Sequence, residues 1–343
     1  MTSNTVAAIM AGRRQRRRRW IALTSVLAAL ALALCCAHLY LGNTHYPVKD
    51  IFRALIGEQV KGVSFAVNTV RLPRMLTGLF AGFAFGIAGS MFQTMLRNPL
   101  ANPDVLGITE GSSAAAVFCI LILHTSESVV SVASVVAGLI TASVIFLLAM
   151  GRTYSIGRII LVGIGIDAIM RAAISYLLMK GGQFDIPAAM RWLSGSLNGS
   201  KMDELPPLVL AVLILSPVVI LLGKHLSLME LGEQAASSLG LNASQTRFVL
   251  VVCSVGIIAI ATSTTGPIAF VALLAGPIAR MLVGSGFSAI LPAGLVGINL
   301  VLAADLIGQY AFVTRYPVGV ITGILGAPYL IFLLVRMSRK GDL

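Results

Sequence analysis

Residues 20–41 read WIALTSVLAALALALCCAHLYL, an uncharged apolar stretch entered through Arg13, Arg14, Arg16, Arg17, Arg18 and Arg19. A helix of about 20 apolar residues covers the hydrocarbon core of a bilayer. The stretch therefore predicts a membrane-crossing helix with a basic tail, 1–19, on one side. Arg18-Arg19 faintly resembles a twin-arginine signal, but the apolar run is too long for a cleaved signal and no A-x-A site follows it.

Nine further segments read the same way: 75–94, 104–123, 129–150, 157–179, 206–223, 247–264, 267–284, 288–310 and 318–336. Two are not plain apolar runs. The segment 75–94 runs at once into Arg97-Asn98-Pro99, and 267–284 is interrupted by Gly276-Pro277. The composition supports the reading. The chain of 343 residues is 57% hydrophobic and 11% charged, whereas soluble domains carry about 25% charged residues. The expected fold is an all-α polytopic membrane protein with about ten transmembrane helices: one transmembrane domain over 20–336, with tails 1–19 and 337–343.

Lysine and arginine in short loops mark the cytoplasmic side. Ten crossings put both termini on one side, and the arginine run places that side in the cytoplasm. Arg97, Arg152, Arg158, Lys224, Arg247, Arg280, Arg336, Arg339 and Lys340 join it there. Lys49, Arg53, Lys61, Arg71, Arg74, Lys180, Arg191, Lys201 and Arg315 fall outside, and Arg171 lies within a span. The net charge of +12 thus fixes topology. It forms no basic, aromatic-interleaved surface of the kind that binds nucleic acid. Cys35, Cys36, Cys119 and Cys253 lie in apolar stretches without a CxxC pair, and the four histidines are scattered, so neither a metal site nor a disulfide framework is expected. There is no GxSxG, HExxH or Walker A motif. The chain reads as a non-enzyme that binds no cofactor itself; any ATP would be hydrolysed by another polypeptide.

Several features inside the spans stand out. Gly78, Gly82 and Gly86, and again Gly319 and Gly323, repeat at the spacing that brings helix backbones together. The contact would lie either within one subunit or along a dimer seam. Asp167 and Arg171, four apart, share a helix face and can pair. With Asp305 they are the charges placed deep in spans, where such groups face a bundle interior or a cavity. The outside loop 180–205 predicts a short surface helix with turns. In the inside loop 224–246, Leu228, Leu231, Ala235, Ala236 and Leu239 form a helical apolar stripe ending at Gly240. Either this chain or a partner must cover it.

The segment Arg71–Gly111, RLPRMLTGLFAGFAFGIAGSMFQTMLRNPLANPDVLGITEG, resembles the signature region of the FecCD family. Further stretches resemble it in family order: Arg191-Trp192-Leu193-Ser194-Gly195-Ser196, Leu231-Gly232-Glu233-Gln234-Ala235-Ala236 with Leu239-Gly240, Gly266-Pro267-Ile268-Ala269-Phe270-Val271, and Gly326-Ala327-Pro328-Tyr329. These are permeases of ABC importers for iron–siderophore, haem and cobalamin. The resemblance implies the type II importer architecture in the cytoplasmic membrane, with a second permease subunit, a dimer of ATPase subunits and an extracytoplasmic siderophore-binding protein as partners. It implies that the helix Met229–Leu239, with Leu231, Gly232, Glu233, Ala235, Ala236 and Gly240, couples to the ATPase. Arg71 and Arg74, with Arg315 nearby, would receive carboxylates of the binding protein, a task suited to charge-assisted arginine pairs. Thr153, Tyr154 and Ser155 would sit at the inner gate.

Two positions depart from the family pattern. Gln309 stands where many members have an arginine, and Ala275-Gly276-Pro277 replaces the usual Ala-Pro-His. The second variant is similar to permeases for ferric enterobactin and other catecholate siderophores. A cobalamin or haem permease is the alternative within the family. A secondary transporter with Asp167, Arg171 and Asp305 as its charged core is the alternative outside it.

Overall fold

The structure is a computed structural model that describes residues 3–103, 107–149, 156–229, 238, 240–284 and 286–340. Among these residues every regular element is helical. In chain order they are α1 (Ser3–Tyr40), α2 (Val48–Leu55), α3 (Leu72–Met95), α4 (Ile108–Phe118), α5 (Glu127–Ala149), α6 (Ile156–Lys180), α7 (Ile186–Leu193), α8 (Leu205–Met229), α9 (Ala243–Thr265), α10 (Val271–Val283), α11 (Ile290–Tyr310) and α12 (Val318–Lys340).

The two ends of the bundle can be followed by hydrogen bonds. At the arginine-rich end, Arg19 donates to the Leu282 carbonyl near the end of α10 at 3.1 and 2.7 Å. At the far end, Arg315 donates to Asn43 Oδ1 at 2.7 Å, just beyond α1. The helices α1, α3, α4, α5, α6, α8, α9, α10, α11 and α12 alternate between these ends. Among the described residues, Ser3 and Lys340 both lie at the arginine-rich end of these ten helices. Eight are long and apolar enough to span a bilayer by themselves; the shorter two are Ile108–Leu123, where a wide π turn (Cys119–Leu123) extends α4, and Val271–Val283. The helices α2 and α7 lie at the far end, the latter within the loop where a surface helix was expected. The basic tail is not a separate unit, because α1 runs unbroken from Ser3 through the first span. Likewise α8 continues to Met229, past the expected end of its span at residue 223.

The segment 75–94, though not a plain apolar run, turns out to be the centre of the bundle. α3 packs against α8, α9, α10 and α11, and its most apolar stretch is 78% buried. A helix surrounded by protein needs small residues for close approach more than it needs apolarity. A Cβ at Gly82 would lie 2.7 Å from the Gly297 carbonyl oxygen on α11, and one at Gly78 2.9 Å from a Leu302 methyl. The glycine series on α3 therefore packs within this chain. Gly319 seats against the Ser194 carbonyl, while Gly323 has open space around it.

Two prolines are accommodated by specific devices. Before Pro73 the chain widens into a π-helical turn, Phe65–Arg71, in which Leu72 N–H reaches the Val67 carbonyl. The wider turn removes the clash a proline ring makes with the fourth preceding carbonyl. In α10, Pro277 leaves the Leu273 carbonyl without its helical donor. Gln93 Nε2 on α3 supplies that donor at 2.9 Å, and Gln93 Oε1 accepts from Arg280 Nη2 at 2.8 Å. α10 thus stays helical through Gly276-Pro277.

Candidate functional site

Three polar sites occupy three depths of the bundle. At the far end, Asp305 on α11 is fully buried and is the hub of a charged cluster. Arg74 on α3 clamps it with both arms, Nε to Oδ2 at 2.8 Å and Nη2 to Oδ1 at 2.7 Å. Gln309 Nε2 donates to Oδ2 at 2.6 Å, and His38 Nε2 on α1 lies 3.2 Å from the same oxygen. Arg74 also donates to Asn198 Oδ1 at 2.8 Å. The cluster ties α1, α3 and α11 together with the segment after α7. Its Arg74 side chain is only 14% exposed, so the guanidinium proposed as an outward receptor is engaged from within.

Arg71 serves a different local purpose. It donates to the Leu39, Tyr40 and Thr44 carbonyls at 2.8, 3.0 and 2.7 Å, capping α1, whose last carbonyls lack helical partners. Its guanidinium carbon lies 5.3 Å from the Tyr46 ring centroid. Arg315 is exposed and bonds Asn43, so Arg71 and Arg315 meet on one turn, residues 41–46. Beside them, Arg191-Trp192-Leu193-Ser194-Gly195-Ser196 meets Gly266-Pro267 through backbone. Ser196 N–H donates to the Thr265 carbonyl at 2.7 Å, and Gly319 N–H to the Gly195 carbonyl at 3.1 Å. Motifs far apart in the chain converge there.

At mid-depth, Arg171 Nε donates to Asp167 Oδ2 at 2.9 Å, as the four-residue spacing predicts. The sequence did not reveal that Glu110, on α4, joins the same guanidinium. Arg171 lies about 14 Å along α6 from its far end, at 1.5 Å per residue. The three groups sit beside a cavity of about 500 Å³ that Glu110, Ser113, Arg171, Ser175 and Phe270 help to line. α6 is the least covered of the eight long helices, packing on α4 and α5 alone among the major neighbours. The Arg171 side chain is 62% exposed on this chain. Ionised groups at this depth face water or protein rather than lipid.

At the arginine-rich end, Arg97 takes a left-handed backbone conformation (φ 51°), and its guanidinium bonds the Met229 carbonyl at the end of α8. Gly240 has φ 80°, and Asn242 Oδ1 caps α9 by accepting Gln245 N–H at 3.1 Å. Of the proposed coupling residues, Met229 and Gly240 are therefore seen as the two flanks of the loop. Leu231, Gly232, Glu233, Ala235, Ala236 and Leu239 lie outside the described residues, as do Thr153, Tyr154 and Ser155. Among the described residues no group of three or more His, Cys, Asp or Glu could hold a metal ion.

Comparison with protein families matches residues 29–336 to the FecCD transport family. The chain belongs to the FecCD transport family. Its relatives include the ferric enterobactin transport system permease protein FepG of Escherichia coli, 34% identical over 87% of this chain and 91% of the relative. The Fe(3+)-citrate import system permease protein YfmE of Bacillus subtilis is also 34% identical, over 95% of this chain and 98% of its own. The cobalamin import system permease protein BtuC of Halobacterium salinarum is 30% identical over 78% and 73%. Among solved structures, an inward-facing conformation of a metal-chelate type ABC transporter aligns with a TM-score of 0.81 at 26% identity, covering 91% of this chain and 98% of that one. This FecCD chain is accordingly a multi-pass membrane permease, and the secondary-transporter alternative falls away. The charged residues on which that alternative rested are placed in two separate sites, Asp305 at the far end and Asp167–Arg171 at mid-depth.

Proposed function

We propose that this chain is the membrane-spanning subunit of an ATP-driven importer that carries ferric siderophores, of the catecholate class, across the cytoplasmic membrane. The observation that carries the reading of a subunit within a larger assembly is the ion triad Glu110–Arg171–Asp167, held at mid-depth beside a cavity on the least covered of the long helices. An arginine there needs an aqueous or protein surround. A second permease subunit, identical or homologous, placed against α6 encloses such a pathway. Relatives named for ferric enterobactin, Fe(3+)-citrate and achromobactin support an iron chelate as the cargo.

The remaining parts follow from the placement of charge. The arginine-rich end faces the cytoplasm, with both termini there. The loop between Met229 and Gly240 receives the ATPase dimer, which alone uses ATP. At the opposite face the turn 41–46, with Arg71 and Arg315, receives carboxylates of an extracytoplasmic binding protein. Arg74 takes part only by exchanging Asp305 for a partner's carboxylate.

The experiment is uptake of radiolabelled iron in cells deleted for the gene and complemented with it. Ferric enterobactin, ferric citrate, ferric hydroxamates, haem and labelled cobalamin are offered in parallel. Gene-dependent uptake of the ferric catecholate is expected. Uptake of cobalamin or haem with no ferric chelate transported overturns the cargo assignment.

A further inference from the structure

The arginine run in the first half of α1, Arg13 to Arg19, is not explained by the transport cycle. The family match begins at residue 29, beyond it. Six of the seven positions 13–19 are arginine, every one is exposed, and no acidic residue precedes Asp50. Like charges three and four apart on a helix destabilise it, so this segment calls for anions from elsewhere.

The structure distinguishes two faces of the run. Arg19 bonds the Leu282 carbonyl, a Cβ at Gly286 would lie 3.3 Å from the Arg16 side chain, and Trp20 Nε1 donates to the Ser288 carbonyl at 3.0 Å. The Trp20 ring lies 6.4 Å from that of Phe287. Positions 16, 19 and 20 thus anchor α1 to the segment joining α10 to α11. At 100° per residue, Arg14, Arg17 and Arg18 fall on the opposite side, turned away from the bundle. Depth is set by the helix itself. From Trp20 to Tyr40 it rises about 30 Å, the thickness of the hydrocarbon core. Trp20 therefore marks the boundary, where tryptophan prefers to sit. Arg14, Arg17 and Arg18 occupy the next 3–9 Å, the layer of phosphate headgroups.

We propose that Arg14, Arg17 and Arg18 form a binding site for the phosphates of anionic phospholipid headgroups, holding an anionic lipid against α1 at the arginine-rich end of the bundle. Guanidinium forks match phosphate oxygens in pairs. The face is lateral, so lipid reaches it directly. Arg13, Arg16 and Arg19 lie nearer the protein and keep the positive bias that sets topology.

The chain has two tryptophans, Trp20 and Trp192. Trp192→Phe leaves Trp20 as the one tryptophan of this chain, beside the proposed site, and the Trp20→Phe, Trp192→Phe protein supplies the background of any copurifying subunit to be subtracted. The full-length permease, with any subunits that copurify, is reconstituted in phosphatidylcholine containing brominated phosphatidylglycerol or brominated phosphatidylcholine, and Trp20 quenching is followed against mole fraction. A basic residue near an anionic surface is worth about a fivefold preference, so the phosphatidylglycerol curve should reach half-quenching at a mole fraction several-fold lower. The triple change Arg14→Gln, Arg17→Gln, Arg18→Gln should bring the two curves together, while the corresponding triple change to lysine, which keeps the charge and loses the paired fork, should leave them closer than in the parent. Equal quenching in the parent overturns the proposal, and so does a preference that survives in the glutamine variant or is undiminished in the lysine one. A preference that emerges only after copurifying subunits are stripped away would assign the arginines to a protein surface, and the lipid site would fall.

Discussion

Replacing Asp305 by alanine should destabilise the protein more than almost any other single side-chain deletion at the far end. The carboxylate accepts two hydrogen bonds from Arg74 and one from Gln309, and it faces His38, while being wholly buried itself. Its loss strands Arg74 and His38, whose side chains are 14% and 2% exposed. Removing one partner of a buried ion pair costs about 3–5 kcal/mol. The double variant Arg74→Met, Asp305→Leu removes both charges; replacing a buried pair by apolar groups is about neutral or mildly stabilising, so most of the loss should return. Thermal unfolding in detergent, followed by the monodisperse fraction surviving heat, compares the parent, Asp305→Ala and the double variant. The reasoning is refuted if Asp305→Ala unfolds with the parent, or if the double variant is no better than the single one. The same pair tests docking: a double variant that is stable yet fails to bind its binding protein makes Arg74 part of the receiving surface, whereas full uptake confines it to a structural role.

Three further outcomes are expected. Gln93→Leu should cost about 1–3 kcal/mol by leaving the Leu273 carbonyl without a donor, and Pro277→Ala, which restores the helical N–H, should recover part of it in the same thermal assay. Gly82→Ala should cost about 1–3 kcal/mol or more by pushing α3 from α11, while Gly323→Ala, with nothing within 4 Å, should be close to silent; both are read as melting shifts. Aspartate at Leu231 and Leu239 together should leave basal ATPase activity in the partner subunits and abolish its stimulation by transport, measured as phosphate release in proteoliposomes with and without loaded binding protein.

Eight of the helices were legible because they are long and apolar, and lipid demands little else of a sequence. Where protein replaces lipid as the surround, that signal fades. α3 carries four glycines and runs at once into Arg97-Asn98-Pro99, yet it is the most enclosed of the long helices. The helix through Gly276-Pro277 depends on a donor from Gln93, 180 residues away from the carbonyl it serves, and no local rule anticipates such a partner. The same contrast holds at the charged sites. Asp167 and Arg171 could be paired from their spacing alone. Asp305 could be placed in a span, but not with Arg74 and His38, 231 and 267 positions away. Arg71 and Arg74 were marked by their motif, and only the fold shows that the first caps α1 and the second holds Asp305. The short helix α2 carries its apolar residues at helical spacing, Val48, Ile51, Phe52 and Leu55, but is too short to register as a crossing, and the π turn before Pro73 left no trace in the apolar pattern.

The uncovered state of α6 bears on how the cell handles this protein before assembly is complete. In a lone copy the Glu110–Arg171–Asp167 cluster is ion-paired within the chain but would lack the aqueous or protein surround that charges at this depth take. A covering subunit would supply that surround, so the abundance of this chain should track that of whichever subunit packs on α6.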